Sequence, residues 1–206
     1  MLPDTRSVRE KIRAAAVQLF AEMGYHAAPL RDIARLADIQ AASIYYHYPS
    51  KQALLVEIMD THMRQLNASL ERIIARPEGV VERLHEAIAS HIRLHTTHKA
   101  EFFIIDTEIR ALENEPRAQI LALRDQYEHL LQSLFQEGID QGVLRPTDVK
   151  VASYAVIAMC TEVAAWFRSP GRLTVQQVID IYSQLIAQGL LAEGVSGQRP
   201  AESART

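Results

Sequence analysis

Cysteine is nearly absent. Cys160 stands alone in 206 residues, which excludes an intramolecular disulfide and a cysteine metal cluster, and its place in an apolar run predicts a buried thiol. No apolar run approaches the roughly 20 residues that cross a bilayer. The first residues carry Asp4, Arg6, Arg9, Glu10, Lys11 and Arg13 rather than the apolar stretch of a signal peptide. The expectation is a cytoplasmic protein with no membrane partner. Alternating β-type runs are missing, which excludes a sheet protein and leaves an all-α fold. A nucleophile elbow, a phosphate-binding glycine loop and a recognisable frame of paired carboxylates are missing too, and Cys160 has no sequence neighbour to activate it. The chain is therefore not expected to be an enzyme, and no cofactor is expected. Excess positive charge is also lacking. The net charge of -3 argues against a nonspecific nucleic-acid coat.

What is present is a large apolar fraction, 48% of residues, enough for one or two buried cores and too much for a disordered chain. The charge is uneven: residues 1–51 carry a net +2 and the remainder -5, and a few well-placed cations suffice for a sequence-specific binder. There is no internal repeat. Apolar residues recur at spacings of three and four. Ile12, Ala15, Ala16, Leu19 and Phe20 mark a first helix stopped at Gly24. Short helices follow over 30–37, with Pro29 at its start and Ala28 offering no cap, and over 40–47. Tyr48-Pro49-Ser50 interrupts the chain, and Ser50 caps a long fourth helix from Lys51 to about Arg76. Pro77 is expected to open a fifth helix to about His95, with a sixth to Leu112. Pro116 starts a seventh, ending near Gly138 to Gly142. Thr147 is the expected cap of the eighth, which is apolar nearly all round from Val151 to Phe167 and so expected to be buried between a core and a partner subunit. Thr174 caps a ninth to about Leu191, and a Gly, Ser, Pro and Ala-rich tail over 194–206 is expected to be disordered.

Two short helices joined by a tight turn, supported by a first helix and followed by a long one, form the frame that presents a recognition helix to DNA. Ile33, Ala34, Ala37, Ile39 and Ile44 can hold the short helices together. Gln40, Ala41, Ser43, Tyr46 and His47 are left mostly outward. The small side chains at Ala41, Ala42 and Ser43 allow close approach to base edges. Gln40 and Ser43 can hydrogen-bond there, and alanine can meet a thymine methyl. Tyr45, Tyr46 and His47 suit phosphates, and Lys51 at the next helix start adds charge and a helix dipole.

The run Leu30-Arg-Asp-Ile-Ala-Arg-Leu-Ala-Asp-Ile-Gln-Ala-Ala-Ser-Ile-Tyr-Tyr-His-Tyr-Pro-Ser-Lys51, with Leu54 and Leu55 after it and Gly24-Tyr25 before it, resembles the helix-turn-helix signature of the tetracycline-repressor (TetR) family at about twenty positions. The resemblance implies DNA contacts at Ala41, Ala42, Ser43, Tyr45, His47 and Lys51, with Arg31 a further candidate. Three positions depart from the pattern. Asp38 stands where the turn usually carries glycine, Tyr48 replaces phenylalanine, and Ala28-Pro29 replaces a hydroxyl pair.

The resemblance further implies a helical C-terminal domain that binds a small effector and dimerises through its last two long helices, here including Val175, Val178, Ile179, Tyr182, Leu185 and Ile186. The implied regulator is a repressor that leaves a palindromic operator when its effector binds. Segments at Glu108–Leu112, Leu123–Tyr127 and Trp166–Leu173 are similar to a subgroup that senses acyl-CoA thioesters. Phe102, Phe103, Phe135, Tyr154, Met159, Trp166 and Phe167 are candidate walls of an apolar pocket, and Arg168 and Arg172 are candidate phosphate partners. Two alternatives stand beside this. His91, His95 and His98, with Glu101 and Asp106 downstream, raise a metal-responsive regulator, against the expectation that histidines at a polar helix end face solvent. The outward tyrosines also fit a protein-interaction module without DNA binding. The expected domains are a helix-turn-helix over 1–52 and an effector and dimerisation domain over 53–193.

Overall fold

The computed structural model describes residues 6–192, which form nine α-helices and no strand. The expected tail lies outside the described residues. The helices are α1 (Val8–Met23), α2 (Leu30–Leu36), α3 (Ala41–His47), α4 (Lys51–Ile74), α5 (Val80–Thr97), α6 (Lys99–Glu108), α7 (Asn114–Asp140), α8 (Val149–Trp166) and α9 (Val175–Leu190), with a 3-10 turn over Ile109–Ala111. They fall into two compact units. The first takes the described residues to Ala68 together with Thr97–Gln126, and the second takes Ser69–Thr96 with the described residues from Tyr127 onward. A division after residue 52 counts α6 with the C-terminal part. In the fold, α6 packs on α1 inside the first unit.

Local chemistry accounts for most helix ends in the first unit. Ser7 and Glu10 form a reciprocal capping box at the start of α1, and Gly24, at φ 82°, ends it with its N–H on the Phe20 carbonyl at 3.0 Å. As expected, α2 starts without a side-chain cap, after Pro29. It closes in a Schellman arrangement: Asp38 N–H donates to the Arg35 carbonyl at 3.2 Å, and Ile39 N–H donates to that of Ala34 at 3.0 Å. This geometry needs a left-handed residue, and Asp38 supplies it at φ 56°. Gln40 lies before α3 as its cap residue, and the Ser50 hydroxyl accepts from Ala53 N–H at 3.0 Å to start α4. Phe20, Ile33, Ile44, Leu54, Leu55 and Ile58 are fully buried in this unit, each contributing about 1.5–3 kcal/mol.

The second unit corrects several sequence-based boundaries. Pro77 does not open α5, which begins at Val80. The proline instead disfavours helical backbone in the residue before it, so α4 ends just upstream. The cap of α8 is Asp148 rather than Thr147, because its carboxylate accepts from the N–H groups of both Lys150 and Val151 at 3.0 Å and complements the helix dipole. Thr174 and Gln177 form the capping box of α9. Within α7, a Cβ on Gly138 would come within 2.6 Å of Leu144 and 2.9 Å of Val80, so a hydrogen there is what allows this approach. Over its 18 residues α8 is long and apolar enough by composition to cross a membrane, a test that the core helix of a globular protein passes equally. Only one of its faces is buried, through Ala152, Ser153, Val156, Cys160, Val163 and Ala164. Val151, Tyr154, Met159 and Trp166 are exposed on it, as are Ile181 and Leu185 on α9.

Because Asp38 occupies a left-handed position on the surface, Asp38→Gly is expected to be tolerated. Asp38→Val should cost on the order of 1–2 kcal/mol, read by urea unfolding of the two variants.

Candidate nucleic-acid interface and effector core

The polar face of α3 is what the first unit presents. Ile44 is fully buried and turns one side of this short helix inward. Tyr46 is 88% and Tyr45 61% exposed. Gln40, Ala41 and Ala42 are exposed at the start, while Ser43 and His47 are half-buried. Arg31 is exposed at the start of α2. Along α3 the sequence-predicted contact residues run from small side chains at its start to aromatic ones behind.

Lys51 differs from a free surface lysine. Its ammonium donates to the His26 carbonyl at 3.2 Å and lies 4.6 Å from the centre of the Tyr25 ring. Burial lowers its pKa, with Glu108 acting in the opposite direction. The lysine holds the turn between α1 and α2 against the start of α4. Glu108 also accepts from Tyr25 N–H at 3.1 Å.

A second anchor escaped the sequence reading. The Tyr48 hydroxyl, on a ring that is 2% exposed, donates to Glu57 at 2.7 Å. The Arg9 guanidinium pairs with the same carboxylate and lies over the Tyr48 ring at 4.9 Å. The cluster ties α1, the end of α3 and α4 together. Burial works to raise the Glu57 carboxyl, but the hydrogen bonds from Arg9 and Tyr48 and the charge of Arg9 outweigh it, holding the group below its ordinary value. The extra hydroxyl of tyrosine at this position was visible in the sequence. Its partner, nine residues away on another helix, was not.

In the second unit His91 and His95 are not solvent-facing. His91 and His95 are each 4% exposed, because they continue the buried stripe of Leu84, Ala87, Ile88 and Ile92 along α5. His91 is hydrogen-bonded through Nδ1 to the Tyr127 hydroxyl and through Nε2 to the Thr161 hydroxyl, both at 2.9 Å. The His95 ring stacks on that of His91 at 4.1 Å. Its Nδ1 donates to the His91 carbonyl at 3.0 Å, and burial pushes its pKa down to about 4. His98 belongs to the first unit, 3.6 Å from Glu101 and beside His62. Among the described residues no group of three or more metal-binding side chains is assembled. A cavity of about 10 Å³, room for one water, lies between α5, α7 and α8. Its wall includes Ile88, Leu131, Val156 and Cys160, with His91 and Tyr127 on its polar side. Burial pushes the Cys160 thiol up to about 12, so it is neutral there.

The candidate pocket residues are dispersed. Phe102 and Phe103 sit on α6 in the first unit, and Phe103 is half exposed. Phe135 and Phe167 are buried in the second unit, whereas Tyr154 and Met159 lie on the outward side of α8. The Trp166 ring meets that of Tyr182 at 6.4 Å. Arg168 donates to the carbonyls of Ala165 and Phe167 at 2.8 and 3.0 Å, closing the end of α8. Arg172 is exposed.

Comparison with known proteins agrees with this architecture. Residues 12–58 match the family model for bacterial regulatory proteins of the tetR family, and residues 77–190 match that for the tetracyclin repressor-like C-terminal domain. The chain is 31% identical over 192 residues to the HTH-type transcriptional repressor KstR2 of Mycobacterium tuberculosis, covering 92% of this chain and 96% of that protein. The solved structure of that ketosteroid transcriptional regulator superimposes with a TM-score of 0.84 at 28% identity, covering 92% of this chain and 98% of the other. AibR, solved with isovaleryl coenzyme A and operator DNA, superimposes with a TM-score of 0.79 at 29% identity, covering 87% and 97%.

The depressed Glu57 carboxyl sets a pH dependence. A group held below its unfolded value contributes stability above the ordinary value of 4.5 and loses it as pH falls through the lower folded value. Glu57→Gln should therefore unfold with a flatter acid limb than the parent below about pH 4.5, measured by thermal melts across that range.

Proposed function

The chain belongs to the tetR family of bacterial regulatory proteins, DNA-binding transcription factors rather than enzymes, and on that premise we propose that it is a cytoplasmic repressor released from a palindromic operator by an acyl-CoA thioester. The observation that carries the DNA half is the face of α3. Its small residues Ala41, Ala42 and Ser43 meet base edges, with Gln40 hydrogen-bonding beside them. Tyr45, Tyr46 and His47 reach phosphates, and Arg31 adds charge from α2. Lys51 contributes a positive helix start and the packing of the turn beneath.

The effector half is supported by the likeness to AibR, which binds isovaleryl coenzyme A, and by an apolar helical core with few polar groups. The cavity holds no more than one water, so an acyl group enters only as its walls part. An effector that stabilises the parted state shifts the protein toward it by its difference in affinity for the two states. In this reading the shift moves α4, changes the spacing of two recognition helices and weakens binding to a site of fixed half-site separation.

Dimerisation places a second copy on the exposed apolar side of α8 and α9, where Val151, Tyr154, Met159, Trp166, Ile181 and Leu185 otherwise face water. Phe135 contributes to the apolar surroundings of the effector within the second unit, and the guanidinium N–H groups of Arg168 that do not close α8 pair with the phosphates of its coenzyme.

A mobility-shift assay with DNA upstream of the protein's own gene tests the reading. A sequence-specific shift that isovaleryl-CoA weakens is expected. Absence of any specific shift removes the DNA half, and a shift indifferent to thioesters removes the effector class. Tyr45→Ala and Tyr46→Ala should each cost about 1–3 kcal/mol of operator affinity. Leu185→Lys should move the protein toward monomer in analytical ultracentrifugation.

A further inference from the structure

The second unit holds a polar chain drawn from three helices. Tyr127, His91 and Thr161 come from α7, α5 and α8 and are linked by two hydrogen bonds of 2.9 Å. Replacing satisfied polar partners with apolar groups of the same shape is often close to neutral for stability. Such a chain in an otherwise apolar cavity therefore invites a role in recognition.

Counting protons gives the chain a direction. An imidazole with one N–H donates to one hydroxyl and accepts from the other. The hydroxyl that receives the imidazole proton keeps its own O–H proton uncommitted within the chain. If both ring nitrogens carry protons, both hydroxyls keep theirs. With the proton on Nδ1, the ring donates to Tyr127, and the phenol that lines the cavity keeps its own proton to donate there. Burial pushes the Tyr127 phenol up, so it remains an O–H donor.

The partner that fits is an uncharged acceptor. The cavity wall holds no lysine or arginine, and its Cys160 is a neutral thiol. A buried carboxylate would meet no compensating charge there. A thioester or ketone carbonyl needs only the one donor.

Building on the reading of an acyl thioester effector, we infer that the Tyr127–His91–Thr161 chain recognises the thioester carbonyl, while the apolar wall of Ile88, Leu131, Val156 and Cys160 opens to receive the acyl group. The carbonyl replaces no existing hydrogen bond; it takes the proton the chain leaves over. The remainder of the coenzyme lies outside this cavity, so free coenzyme A does not use the chain.

Calorimetry on the full-length protein tests this with three ligands: isovaleryl-CoA, free coenzyme A, and the thioether analogue of isovaleryl-CoA, whose carbonyl is replaced by methylene. The unaltered protein should bind the thioester about tenfold more tightly than the thioether. The double variant Tyr127→Phe, Thr161→Val should lose that preference while keeping its affinity for free coenzyme A and for operator DNA, which also reports that it is folded. Equal affinity of the unaltered protein for thioester and thioether overturns the inference without any variant. A preference that survives in the double variant overturns it as well. If the unaltered protein binds the operator but none of the three ligands, the acyl-CoA reading itself falls, and the inference with it.

Discussion

A helix of seven residues is marginal in water by itself, so α3 owes its form to what grips it. Three grips act on it. Ile44 inserts into the core of the first unit. The left-handed Asp38 turns the chain sharply between α2 and α3. The Glu57 carboxylate holds Tyr48 just past the last turn of α3, with Arg9 bound to the same carboxylate from α1. None of these residues is a proposed base contact, yet the direction in which Ala41, Ala42 and Tyr46 face depends on all of them. A recognition surface needs this rigidity, since a small misplacement of side chains that read base edges forfeits their hydrogen bonds.

The second unit solves a different problem. It shields a sizeable apolar interior with helices whose outward sides are not uniformly polar. On α8 the division is sharp: Val156, Cys160 and Val163 face the interior, and Tyr154, Met159 and Trp166 face out. A helix apolar on both sides is stable in water only when both sides find cover. Inside the same unit, the histidines of α5 carry polarity into the core. Their hydrogen bonds to Tyr127, to Thr161 and to the backbone keep that polarity satisfied.

Much of this was legible in the sequence, for identifiable reasons. Helix periodicity and the caps at Ser50 and Thr174 depend on neighbours within one turn, so residue order reports them directly. The exposed face of α3 followed from Ile33, Ala34 and Ile44 claiming the inward positions. Asp38 in a glycine place implied a left-handed turn. Thr147 and Pro77 were misleading because a cap one residue later, at Asp148, makes two hydrogen bonds, and because proline can end a helix as readily as begin one. The histidines were misjudged because a polar side chain on a buried stripe looks like a polar helix end until the neighbouring helices are in place.

By itself the sequence determined the all-α class, the order of its helices and the chemical character of the outward face of α3, since all three rest on contacts between residues three or four apart. Only the tertiary structure decided that Glu57 serves Tyr48 and Arg9 together, that Lys51 closes a turn as well as charging a helix start, and that His91 bonds to Tyr127 and Thr161. Those pairings join residues 9 to 70 positions apart. Their partners are chosen by which helix faces pack against one another, and no local pattern encodes that choice.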